Sequence, residues 1–102
     1  MRPTMLATID WIPPEEGGRR SGPPIGPDYA APAKFTEHAD AWLIEAWDLL
    51  VHQVERLGGP NKWLADVQFR VDEAPHAWLM PHAVFELYEG GRCVAKGTIA
   101  AG

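Results

Sequence analysis

Arg19 and Arg92 each leave a Glu-Gly-Gly-Arg tetrapeptide, one at Glu16 to Arg19 and one at Glu89 to Arg92, and anion recognition is the chemistry such residues can do. A guanidinium presents a planar fork of donors that matches a phosphate or a carboxylate, and Arg20 stands directly beside the first copy. The competing reading is architectural: each arginine braces its own turn, against a glutamate or against backbone carbonyls. Adjacent glycines reach positive φ at little cost, so both copies read as tight chain reversals.

His38, His52, His76 and His82 raise the question of a metal centre, with Glu37 or Asp40 as an oxygen ligand. Their spacing matches no compact ligand motif, and the single cysteine, Cys93, has no second thiol to help it, so surface or interface roles are the simpler reading. Arg92 and Lys96 would lower the pKa of Cys93 if it were exposed; a thiol packing as a small apolar residue is the simpler alternative. No Ser/His/Asp set or paired carboxylates stand out, and Asp72-Glu73 reads as a solvated turn. The expectation is a non-catalytic protein with no metal and no cofactor.

A chain of 102 residues with 46% hydrophobic content can bury a core as one domain without staples. One cysteine excludes an internal disulfide and suits a reducing cytoplasm. The net charge is −5 and the nine basic residues are scattered, so there is no polybasic footprint and any RNA contact has to be local. No apolar run approaches the roughly 18–20 residues of a membrane span, and Met1 to Leu6 lacks the apolar stretch of a secretory signal. These features predict a cytoplasmic protein without a membrane partner. Of five tryptophans, Trp11, Trp47 and Trp63 sit on apolar faces and read as core; Trp42 and Trp78 adjoin polar or loop positions, where one of them can anchor a partner.

The elements that must position these groups are mostly strands. Met5 to Ile12 alternates, with Ala7, Ile9 and Trp11 on one side, until Pro13-Pro14 ends it. Residues 15–32 are dense in proline and glycine and read as a long loop or extended arm. The middle is ambiguous: Ala39, Trp42, Leu43, Ala46, Trp47, Leu50, Val54 and Leu57 follow helical spacing between Thr36 and Gly58-Gly59-Pro60, while Trp47, Leu49 and Val51 alternate as a strand does. Lys62 to Val71 alternates again, with Trp63, Ala65, Val67, Phe69 and Val71 facing one way. Ala83 to Tyr88 and Cys93 to Ile99 flank the second tetrapeptide as a hairpin. Such an order argues for an antiparallel barrel or sandwich.

The first unit, Ala7 to Arg19 with Ser21-Gly22-Pro23 behind it, and the closing unit, Phe85 to Ile99, resemble in order and motif the C-terminal (third) β-barrel domain of translation elongation factor Tu. In that domain a strand runs into Glu-Gly-Gly-Arg and a Pro/Gly-containing loop, and the chain closes on a hairpin that turns on a second Glu-Gly-Gly-Arg. The resemblance spans residues 5–100, and its two ends carry the specific motifs. It implies an all-β fold: a single domain over residues 1–102 forming a closed six-stranded antiparallel barrel, with strands and at most a helical turn in the middle segment.

By the same resemblance the chain is a stand-alone binding module that contacts a protein or a structured RNA through its Gly-Gly turns. Arg19, Glu89 and Gly90 match positions that the family uses near the T-stem of acceptor RNA; with Arg20 and Arg92 they form the expected partner-binding set. The family's Arg-Pro-Gln-Phe element corresponds here to Ala31-Pro32-Ala33-Lys34-Phe35, which lacks its arginine and glutamine. No Gly-x-x-x-x-Gly-Lys-Ser/Thr phosphate loop occurs, so neither nucleotide binding nor GTPase activity is expected. The alternative reading is an acidic, immunity- or antitoxin-like inhibitor of a basic protein, which the net charge of −5 favours.

Overall fold

A computed structural model describes residues 3–42, 44 and 46–101. Six strands, β1 (Met5–Trp11), β2 (Asp28–Phe35), β3 (Trp47–Leu57), β4 (Lys62–Phe69), β5 (Val84–Glu89) and β6 (Arg92–Ile99), close into an antiparallel barrel in the order β1-β4-β3-β2-β5-β6. β1 pairs with β4 on one side and closes on β6 on the other, from Ala7 opposite Ile99 to Trp11 opposite Ala95. Closure gives every strand a partner on both sides, β2 meeting β5 over Ala33 to Phe35. No helix among the described residues is long and apolar enough to cross a membrane.

Alternation along each strand fills the interior. Ala7, Ile9 and Trp11 point inward from β1, Ala31, Ala33 and Phe35 from β2, Leu49 and Val51 from β3, and Ala65, Val67 and Phe69 from β4. Small and large side chains therefore share one narrow lumen, as a small barrel requires. At one end Phe35 meets Phe69 and Phe85 at centroid distances of 5.7 and 5.3 Å, and Trp78 and Leu79 cover them. At the other end Trp11 Nε1 donates to Gln53 Oε1 at 2.8 Å. Gln53 is the one buried polar side chain among the described residues, and without it the indole N–H would be orphaned at a cost of about 1–3 kcal/mol.

The middle segment is a strand preceded by a short 3-10 turn (Thr36–Ala41). The helical spacing there is coincidental: Ala39 and Ala46 are exposed, and Val54 lies outside, in phase with the outward His52 and at the bulge between Gln53 and Glu55. Leu43, counted on that helical face, lies outside the described residues. The proline-rich arm is shorter than the sequence suggests, since β2 begins at Asp28 and takes in the last five residues assigned to the loop. Pro32 is tolerated in that strand because β5 pairs only with Ala33 to Phe35, so no neighbour there requires its missing N–H. Val71, expected on the inner face, is exposed in the turn after β4. Trp11 is core; Trp42, Trp47, Trp63 and Trp78 are all half-buried, Trp42 against the Tyr88 ring at 4.9 Å.

Candidate functional site

The two tetrapeptides end up side by side. After β1, Pro13 and Pro14 start a single 3-10 turn (Pro14–Glu16) that Gly17 ends at φ +97°. Gly18 then lies so close to the chain it has just left that a Cβ there would sit 1.6 Å from the Ile12 carbonyl oxygen. In the second copy Gly90 takes φ +62° and links β5 to β6, with Glu89 opposite Arg92. Positive φ at the first central glycine is what a type II′ hairpin turn uses. Just beyond it a bulge turns Val94 and Ala95 both into the core, and the Val94 carbonyl accepts from Ile12 N at 2.9 Å. That bond holds the root of the first turn against the last strand.

Side chains then cross between the turns. Arg19 Nε donates to Glu89 Oε2 at 2.8 Å, joining residues 70 positions apart, and its Nη1 donates to the Gly22 carbonyl at 2.8 Å. Arg92 Nη1 reciprocates by donating to the Gly18 carbonyl at 3.2 Å. Each arginine thus braces the other copy's turn. The Tyr29 hydroxyl also donates to Glu89, and the Arg19 guanidinium lies over the Tyr29 ring, 5.5 Å from its centroid. Trp11 meets that ring edge-on at 5.1 Å, while Gln53 Nε2 donates to the Gly26 carbonyl at 3.3 Å. Burial first, and the Glu89 carboxylate second, push the Tyr29 phenol far above its ordinary range, so it stays a neutral donor. The exposed pair contributes little energy by itself; its effect is to fix geometry.

Arg19, Arg20, Ser21, Glu89, Gly91 and Arg92 line an open depression of about 670 Å³ beside this clasp. Three guanidinium groups face one carboxylate there, on a molecule whose net charge is −5. Arg20 is exposed and has no hydrogen bond or ion pair among the described residues, and Arg19 and Arg92 keep donors that the clasp does not use. An anion fits such a place.

No family model, no curated protein and no solved structure matches this chain.

Four of the five residues singled out in the sequence therefore meet at one depression; Gly90 shapes the turn but does not line it. Sequence reasoning missed Tyr29, which ties β2 to Glu89, and Ser21 on the rim. Lys34 lies elsewhere, in register with Glu86 and through it with Lys96 on the outer face of β2, β5 and β6. The histidines are dispersed: His38 stacks on Trp78 at 4.1 Å, His52 bonds Asp28, His76 Nε2 donates to the Asp72 carbonyl and His82 N–H to that of Ile99.

Cys93 is half-buried on β6. Burial foremost, then the Glu86 carboxylate, pushes its thiol up, and Glu86 also holds the Tyr88 phenol at about 12, second to burial. A raised thiol pKa means less thiolate at neutral pH than the ordinary value of roughly 8.5 gives. Iodoacetamide is therefore expected to alkylate Cys93 several-fold more slowly than free glutathione at pH 7.5, with the gap narrowing as pH rises, and Glu86→Gln is expected to speed the reaction. Alkylation as fast as glutathione's would contradict the assignment.

Proposed function

We propose that this protein is a non-catalytic binding module of the same kind as the third domain of elongation factor Tu, which grips the phosphates of a structured RNA at the clasped turns. The observation that carries the reading is the meeting of the two Glu-Gly-Gly-Arg turns, which gathers Arg19, Arg20 and Arg92 around one depression. Arg19 and Arg92 are held in place by the fold, so little side-chain entropy is lost when an anion arrives. Arg20 supplies the uncommitted charge. Binding through so few guanidinium groups has to recognise shape more than sequence, since phosphate contacts position a nucleic acid without reading it. The partner is an RNA with a defined fold, and the module brings no GTPase chemistry of its own.

Fluorescence anisotropy with a transfer-RNA acceptor–T-arm hairpin tests this. Two or three phosphate contacts predict an affinity that falls by about 10–40-fold between 50 and 200 mM salt. Arg20→Ala is expected to weaken binding and to reduce the salt slope by about one phosphate. Binding that ignores both salt and Arg20 would refute the site. No binding to the hairpin, together with salt-sensitive binding to a basic protein, would favour the acidic-inhibitor reading.

A further inference from the structure

A second depression, of about 610 Å³, lies on the outer face of β2, β3 and β4, and its charge is opposite to that of the clasp. Ala30 and Leu50 give it apolar surface, and Asp28, His52 and Asp66 line it across three neighbouring strands. The register makes a row of the last three: Asp28 is opposite His52 on β3, and His52 is opposite Asp66 on β4. His52 Nδ1 lies 2.7 Å from Asp28 Oδ1. A carboxylate only accepts, so that nitrogen carries the proton, and a neutral His52 has only an acceptor left to offer. The two carboxylates of the row only accept.

Asp66 is the unanswered member. It is half-buried and has no hydrogen bond or ion pair among the described residues. Two nearby guanidinium groups are engaged elsewhere: Arg70, just after β4, with Asp48 at 3.2 Å, and Arg56 on β3 over the Trp63 ring at 5.2 Å. Leu6, in register with Asp66 on β1, continues the apolar surface at 46% exposure. No group of three ligating side chains among the described residues is spaced for a metal ion, which leaves an organic cation.

We propose that this groove docks an arginine side chain, flanked by apolar residues, from an extended segment of a protein partner. A guanidinium carries donors and no acceptor, and its planar fork suits a carboxylate beside a ring acceptor. The flanking apolar residues cover Leu50 and Ala30. The segment lies on the face of the sheet, because β2, β3 and β4 are already paired with one another beneath the groove. This surface is separate from the clasp and stands whether or not RNA binds there.

The test is a titration of the nitrogen-15-labelled full chain, followed by amide chemical shifts, with acetyl-Leu-Arg-Leu-amide and its Glu and Gln counterparts. The arginine peptide is expected to shift Ala30, Leu50, His52 and Asp66 saturably, with a dissociation constant in the roughly millimolar range suited to so small a probe. Asp66→Asn is expected to weaken it at least about fivefold, a loss of one charge-assisted pair, and His52→Gln to weaken it as well. Arg20→Ala leaves it unchanged, which separates this groove from the clasp. The proposal is overturned by equal binding of the glutamate peptide, by full affinity in folded Asp66→Asn, or by arginine amide alone binding as tightly as the peptide. The last result would assign the groove to a small cation.

Discussion

Gly18→Ala is expected to lower stability by about 3 kcal/mol or more, whereas Gly91→Ala, at the same place in an identical tetrapeptide, is expected to change it by less than about 1 kcal/mol. In both copies the first glycine has positive φ, Gly17 at +97° and Gly90 at +62°, so their alanine variants share a similar backbone strain. The second glycines differ. A Cβ on Gly18 would fall 1.6 Å from the Ile12 oxygen and 2.5 Å from its carbonyl carbon, while a Cβ on Gly91 meets nothing within 4 Å. Those obstructing atoms are backbone, and the Ile12 N–H is bonded to Val94, so the strand end cannot simply step aside.

Relief then requires the first turn to lift, taking the Gly18 carbonyl from Arg92 and Arg19 from Glu89. A loss of this size corresponds to a fall in Tm of roughly 10–20 °C for a domain of this length. Thermal unfolding of the two variants decides the matter. Equal shifts would mean that the tetrapeptides are interchangeable and that the clasp does not depend on the close approach at Gly18. The same experiment bears on binding: Gly18→Ala should also blunt the contribution of Arg20, since the clasp fixes the chain that carries it.

The twin motif shows why the site was legible only in part. Glu-Gly-Gly-Arg announces two reversals, and local rules read both correctly, because positive φ at Gly17 and Gly90 is a property of the turn itself. That Arg19 would reach Glu89 and Arg92 the Gly18 carbonyl is not local information. It depends on β1 closing against β6, which sets residues 70 positions apart at the same end of the barrel. Strands with one buried face, such as Met5–Trp11 and Lys62–Phe69, were readable from alternation alone. The strand Trp47–Leu57 was not, because its outer face also carries apolar residues, Leu50 and Val54, whose spacing of four mimics a helix. The groove at Asp28, His52 and Asp66 was invisible for the same reason as the clasp: those residues come from three strands, and only the register aligns them.

Gly97→Ala is the other substitution expected to cost heavily, and its cost is expected to depend on the residue opposite. Gly97 pairs with Phe85 across β5 and β6 and with Ile9 across β6 and β1. The Phe85 ring lies over it, so that a Cβ on Gly97 would approach Cζ, Cε2 and Cε1 at 2.3, 2.6 and 2.8 Å. Aromatic cover of a cross-strand glycine is a recurrent way to combine a tight barrel with a full core. Here the ring is fully buried and has Phe35 5.3 Å away, so it has little room to retreat. Overpacking of this kind costs about 1–3 kcal/mol, and Phe85→Ala alone about 3–5 kcal/mol through the cavity it opens. Combined, the two should cost about 1–3 kcal/mol less than their sum, because the methyl group then enters space that the ring has left. Urea unfolding of the wild type, both single variants and the double variant measures this coupling. Additivity within about 0.5 kcal/mol would mean that Phe85 and Gly97 do not compete for the same volume, and that the absence of a side chain at Gly97 has another cause.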